Sequence, residues 1–467
     1  MYEERLRLAN STWGLALICA IPTILLGVAL AWGGPLAGLV LFVALAVIIL
    51  VLRDMRFGYA AIVGVICLLP FATVPVKIVL TFTLLDLAMG AVVGIWGMRL
   101  MTGQQRTVVL SPITVPLVMF ILIAIFAFIF GLGNGPLTPT LLRHFAELLL
   151  SLGFVIVVVD YCRTWEKLEE LVLILLAGGT AAAAVGIGLW LLPDETANTA
   201  LNFLARVGYP GGWVIRYIEE NPELAERAIG TSVDPNSFGG LLVLIGALAG
   251  PQLVAKKPIV PRWVAVLMFG TIFTALILTF SRGAFLALVG GLGFVTVLRY
   301  RRLLPYLAFV GVASLGLPVM QSFVARMVAG LLGQDLATQM RFGEYRDALS
   351  LIRQYPLFGV GFAGSPDIEL YLGVANVYLT IGQQMGVLGL LSFVVLIGTM
   401  FGYAFFNRHV FAEQARHDAL WLGAHAAVVG GLVAGVFDHY LFNIDFHHAV
   451  TAFWLMVGLG VAATRLG

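Results

Sequence analysis

Apolar runs of membrane-spanning length, separated by short polar connections, fill most of the chain and predict fourteen helices. They fall near 13–32, 35–52, 57–74, 78–98, 112–131, 145–162, 170–192, 236–255, 264–280, 284–298, 304–320, 376–404, 419–437 and 447–465. A helix that crosses a bilayer needs about 20 apolar residues. The run WVAVLMFGTIFTALILTFSRGAFLALVGGLGFVTVL, residues 263–298, is too long for one crossing and suits two short ones. Its natural break is Ser281-Arg282-Gly283, where a helix hairpin can turn, and Arg282 is its single charge. An arginine facing lipid at mid-bilayer is costly, so Arg282 belongs at an interface or in a wet cavity and is a candidate functional residue. The bland alternative is a side chain that snorkels to lipid headgroups.

Two connections are long, 193–235 and 321–375. The first carries VIRYIEENPELAERAIG, where Ile215, Ile218, Leu224 and Ile229 offer an apolar helical face that Asn221-Pro222 divides. The second carries RFGEYRDALSLIRQYPLFGVGFAG, with Tyr345, Leu349 and Ile352 at helical spacing and a stop at Pro356 followed by Gly359, Gly361 and Gly364. Both are expected to lie across the mouth of the helix bundle. The expected fold is all-α: one integral membrane domain over residues 1–467, without the internal repeat of many transporters.

Composition agrees. Of 467 residues, 60% are hydrophobic and 11% charged, against about 25% charged in soluble domains. The first apolar run reads as a retained helix, since no small-residue cleavage site follows it. The net charge of +2 comes from scattered basic residues and gives no reason to expect a nucleic-acid partner. Cys19, Cys67 and Cys162 lie in or beside spans and suggest neither a disulfide framework nor a thiolate metal site. With the N-terminus in the cytoplasm, 17 of the 27 lysines and arginines fall in inner connections. The short outer connections then hold only Lys77, Arg143 and Arg282, so both termini are expected on the cytoplasmic side.

Polar chemistry gathers on the other, outer side. Arg227 precedes span eight, Arg282 sits between spans nine and ten, and Arg341, Glu344, Arg346, Asp347 and Arg353 lie on the second long segment. Asp438, His439, Tyr440, Asn443 and Asp445 share the turn FDHYLFNIDFHH. Arginines converging at a membrane boundary suit a phosphate or diphosphate, because the guanidinium stays charged and grips two oxygens at once. They can also stabilise a departing diphosphate without a metal. Arg227 and Arg282 are the leading candidates, whereas Arg346 and Arg353 read as ordinary loop ion pairs. Transfer to a hydroxyl also needs a base, for which Asp438 and His439 are the first candidates and Glu344 a third. The set Asp438, His439, Asp445, His447 and His448 is chemically able to hold a metal, but its spacing matches no metal motif, so no metal and no cofactor is expected. Asp86, Glu147 and His425 lie within spans and should face the bundle as packed, hydrogen-bonded groups or a proton path.

The segments RAIGTSVDPNSFGGLL, LTFSRGAFLALVGG, RFGEYRDALSLIRQYPLFGVGFAG and NVYLTIGQQMGVLGLLSF, in that order, resemble the O-antigen ligase and O-antigen polymerase superfamily. The resemblance covers roughly residues 225–460. It implies a bacterial inner-membrane glycosyltransferase with a C-type helical fold, metal-independent and without nucleotide sugars. Such enzymes take glycan from a polyprenyl (undecaprenyl) diphosphate-linked oligosaccharide at the outer leaflet and pass it to a saccharide or lipid-glycan acceptor. By position, the resemblance makes Arg227, Arg282 and Arg341 the diphosphate-binding arginines. It also exposes a departure. The ligases typically carry a histidine immediately before the asparagine of the HN-x-YL segment, whereas this chain has Ala375 before Asn376. The expectation is therefore a polymerase-like transferase, with Asp438, His439 and Arg282 in catalysis. A ligase that transfers finished glycan is the alternative, and a transporter of lipid-linked oligosaccharide or solute is the rival of another class.

Overall fold

The computed structural model describes residues 51–74, 81–305, 336–365, 374–411 and 414–467, with single positions between 23 and 50 and between 321 and 333. The spans expected at 13–32, 35–52 and 304–320 lie wholly or mostly outside these residues, as does part of the segment 321–375.

The other eleven expected spans each coincide with a helix. They are α1 (Arg56–Leu68), α2 (Leu84–Met101), α3 (Thr114–Gly131), α4 (Pro139–Tyr161), α5 (Trp165–Trp190), α7 (Pro235–Val254), α8 (Arg262–Leu278), α9 (Arg282–Arg299), α11 (Val377–Phe411), α12 (Ala415–Phe437) and α13 (His447–Leu466). Between them lie the shorter α6 (Asp194–Phe203) and α10 (Leu336–Gln354). Among the described residues nine helices are long and apolar enough to cross a membrane, α1 and α8 being shorter. The chain is thus a polytopic, nearly all-helical membrane protein. Helix starts are set by caps rather than by hydropathy. Thr138 caps α4 and Pro139 opens it, six residues before the expected start, because the polar first turns carrying Arg143, His144 and Glu147 are invisible to an apolar pattern.

Helices α7 and α13 form the centre, with 83% and 89% of their apolar windows buried, whereas α2, α3, α9 and α11 bury only 28–33% and turn most of their surface outward. α12 packs against α7 and α9, and α13 against α4. Small residues let these backbones approach: a Cβ on Gly291 would lie 2.7 Å from the Ala426 carbonyl, and one on Gly423 2.7 Å from that of Leu248. α8 and α9 follow one another across Thr279–Ser281 but splay apart. α8 packs on α5 and α7, while α9 joins α7 and α12, so the expected hairpin is open.

The segment 215–230 is not the amphipathic helix that its apolar spacing suggests. Arg216–Tyr217 (β1) pairs antiparallel with Glu226–Arg227 (β2), and Ile215 and Ile229 enter a small core with Ala197, Leu201 and Val214. Asn221-Pro222 lies in the turn between the strands, where proline's missing N–H is harmless.

α11, 35 residues long, is broken at Gly386, whose φ of 67° admits few residues other than glycine. The loop after α10 fills the break. Val360 and Gly361 donate to the carbonyls of Gln383 and Gln384 at 2.9 and 3.0 Å, and Val387 donates to that of Pro356 at 2.7 Å. The unwound backbone is satisfied by protein, as it must be inside a membrane.

Candidate functional site

The starts of α7, α9 and α13, the end of α12, the β1–β2 hairpin and α10 surround one cavity of about 350 Å³. Its floor is apolar, with Ile66, Leu241, Leu244 and Leu441. Its rim carries Arg227, Arg282, Arg341 and Asp438, four residues singled out in the sequence and drawn from four distant segments.

Each is positioned by local backbone chemistry. The β2 strand docks on the open end of α8, where Ala228 N–H donates to Leu278 O at 2.8 Å and Arg227 Nε donates to Thr279 O at 2.9 Å. These carbonyls belong to the last turn of a helix, which favours a cation. A second nitrogen of Arg227 donates to Asn236 Oδ1 at 2.7 Å. Two of its five N–H groups are thus spent on neutral oxygens, which orients the guanidinium of this cavity-lining residue. Burial pulls the Arg227 pKa below the usual guanidinium value, opposed by Asp234 and Tyr440. Arg282 is the first residue of α9, capped by the Ser281 hydroxyl, so its charge and the positive end of the helix meet the cavity together. Arg341 is carried by α10. That helix is locked in place by Glu344, which accepts from Ala375 N–H at 3.0 Å, and by the Tyr345 hydroxyl, 3.4 Å from the carbonyls of Ala375 and Val436. Asn376 ties α11 to α12, donating from its amide to Val436 O at 3.0 Å.

Asp438 ends α12, its side chain 18% exposed. Burial pushes its carboxyl up to about 7; Asp234 and Glu344 push the same way, while the His439 N–H and Arg341 oppose them. His439 does not line the cavity. Its ring packs on Tyr440 and Phe446, and its backbone N–H donates to Asp438 Oδ1 at 2.8 Å. Arg346 and Arg353 are exposed and also lie off the cavity wall.

The structure adds residues that sequence reasoning left aside. Asp234 caps α7: its Oδ1 accepts from Asn236 and Ser237 N–H at 2.8 Å each and from the Tyr440 hydroxyl at 2.9 Å. The Asp-Pro opening of that helix was a readable signal. Glu219 and Glu220 line the cavity on consecutive left-handed residues, φ 56° and 54°. Val233 and Phe280, beside Asp234 and Ser281, also have positive φ, 60° and 52°. For a β-branched and an aromatic residue this is true backbone strain, and it clusters at the cavity. No sequence signal announces it.

The Asp/His cluster considered for a metal is dispersed. His448 lines the cavity, its Nε2 3.3 Å from Ser237 Oγ, and Asp445 pairs with His144 at 2.9 Å. His447 turns instead toward Asp86 and Glu147, which face the bundle interior. His425 is fully buried and bonded to Trp421 O at 2.7 Å.

No curated protein matches the chain. Residues 264–394, which run from α8 to the first half of α11 and include Arg282 and Arg341, match the family described as O-antigen ligase. Over these residues the chain is similar to the O-antigen ligase and polymerase superfamily, whose members act on lipid-linked glycans in the membrane.

Proposed function

We propose that the protein is a glycosyltransferase that moves glycan from a polyprenyl-diphosphate donor to a saccharide hydroxyl at the outer face of the inner membrane, as a polymerase. The observation that carries this reading is the convergence of Arg227, Arg282, Arg341 and Asp438 on one apolar-floored cavity. An anionic rim ligand on a greasy base is what a lipid diphosphate presents.

In the proposed step the acceptor oxygen attacks the anomeric carbon while the bond from that carbon to the diphosphate breaks. The acceptor's proton goes to Asp438, and the electron pair leaves with the diphosphate. Arg227 and Arg282 bind the diphosphate, with Arg341 assisting, and the charge that develops is met by fixed guanidiniums that need little rearrangement. An Asp438 carboxyl near 7 is suited to this role, since a base works best when its pKa lies near the operating pH. Ala375 stands where ligases typically carry histidine, which favours a polymerase over a ligase and leaves the base to Asp438.

The test is Arg282→Ala. Transfer should be abolished while the variant still inserts and purifies as a folded membrane protein. Turnover at the wild-type rate in that variant would remove the assignment.

A further inference from the structure

A second cluster of charged groups lies outside the cavity, where α2, α4 and α13 meet. Asp86, Glu147 and His447 bring two carboxylates and an imidazole together, with one ligand atom of each within 4.8 Å of the others. Glu147 and His447 are only 5% and 7% exposed. Glu147 Oε1 and both ring nitrogens of His447 are buried without a hydrogen-bond partner among the described residues. A neutral imidazole always has one N–H to place, so this is costly unless something else occupies the space between the groups.

The spacing is informative. His447 Nδ1 stands 3.4 Å from Asp86 Oδ1 and 4.0 Å from Glu147 Oε2. Both separations exceed a normal hydrogen bond of about 2.7–3.2 Å. A tetrahedral shell with metal bonds of about 2.0–2.2 Å has ligand–ligand edges of about 3.3–3.6 Å, which the first separation matches and the second exceeds by about half an ångström. Asp86 is held for the purpose: Oδ2 accepts the Thr83 N–H at 2.7 Å in the capping box of α2, and Oδ1 faces His447.

Charge points the same way. Arg143 Nε lies 3.4 Å from Glu147 Oε1 and supplies one positive charge. Arg143 also lies 2.6 Å from His144 Nε2, and His144 Nδ1 pairs with Asp445 at 2.9 Å. With a cation between them, Asp86 and Glu147 would be two carboxylates against the one guanidinium.

We propose that Asp86, Glu147 and His447 bind one divalent cation that pins α2, α4 and α13 together beside the cavity. One imidazole with two carboxylates suits Zn²⁺ or Mn²⁺ better than Mg²⁺ or Ca²⁺, which favour oxygen alone. The ion is structural in this account, because none of its three ligands lines the cavity. The competing occupant of the same space is a proton shared between the carboxylates.

The experiment uses the full chain in nanodiscs, stripped with a chelator, reloaded with Zn²⁺ or Mn²⁺ at micromolar concentration and desalted. Expected are about one bound ion per chain by elemental analysis and a rise in Tm of about 2 °C or more on loading. Both should vanish in Glu147→Gln, which keeps the side-chain shape, and in His447→Gln, which guards against misfolding of the first variant. Wild-type protein that retains no ion would overturn the proposal, as would Glu147→Gln binding as much as wild type. A wild-type Tm that ignores metal while Glu147→Gln raises it would establish the shared proton instead.

Discussion

Replacing Asp438 by asparagine isolates the proposed proton acceptor with almost no change of shape. Asparagine retains an oxygen for the His439 N–H, which now reaches Asp438 Oδ1 at 2.8 Å, so the end of α12 should keep its geometry. What is lost is basicity. General-base catalysis contributes about 10²–10⁴-fold, and the transfer rate should fall by that factor. The pH profile supplies a second, independent reading. With the Asp438 carboxyl raised to about 7, the ionised and active fraction is near one half at pH 7. It falls to about one hundredth two units lower, so kcat/KM should drop about 50-fold from pH 7 to pH 5. The sign follows from the direction of the shift: burial disfavours the carboxylate, so the active form is lost as pH falls through the folded value. The assay is release of polyprenyl diphosphate by purified protein between pH 5 and 9. In Asp438→Asn the residual rate should be flat across this range. A variant within threefold of wild type, or one that keeps the wild-type inflection, would refute Asp438 as the base.

Other perturbations follow from the same geometry. Arg227→Lys keeps the charge but loses the fork that bonds Thr279 and Asn236 while facing the cavity, and charge-assisted bonds are worth about 1.5–3 kcal/mol. Turnover should fall by roughly 10–150-fold in a donor-titration assay. Arg341→Met removes a charge that lowers the Asp438 pKa, so the midpoint of the pH–rate profile should move upward. Phe280→Gly relieves a positive φ of 52° and should raise Tm while lowering activity, since strain of about 1–3 kcal/mol is stored beside Arg282. Gly361→Ala should lower Tm, because φ is 77° and the new Cβ would lie 2.5 Å from Gly131 Cα on α3.

Much of this architecture is visible in the chain because a bilayer enforces it. Apolar runs become helices when no water is present to satisfy a bare backbone, which is why eleven expected spans fall on described helices. The arginines were legible for a related reason: a guanidinium beside the start of a span must have a purpose or an exit to water. The β1–β2 hairpin was not legible, since Ile215, Ile218, Leu224 and Ile229 fit a helical stripe as well as they fit strands, and tertiary docking on the end of α8 decided between them. The strain at Val233 and Phe280 is likewise imposed from outside the local sequence. Tyr440 was visible only as one polar residue in a crowded turn, and Asp234 only as a helix cap; their hydrogen bond joins positions 206 residues apart. Asp86, Glu147 and His447 meet for the same non-local reason.

The most direct measurement incubates the purified wild-type protein with polyprenyl-diphosphate oligosaccharide and no separate acceptor, and follows the lipid-linked glycan and the released polyprenyl diphosphate together. Longer lipid-linked glycans appearing with stoichiometric release of polyprenyl diphosphate, both absent in Arg282→Ala, are the predicted result. Folded protein that releases no polyprenyl diphosphate, with or without an added saccharide acceptor, would contradict the account.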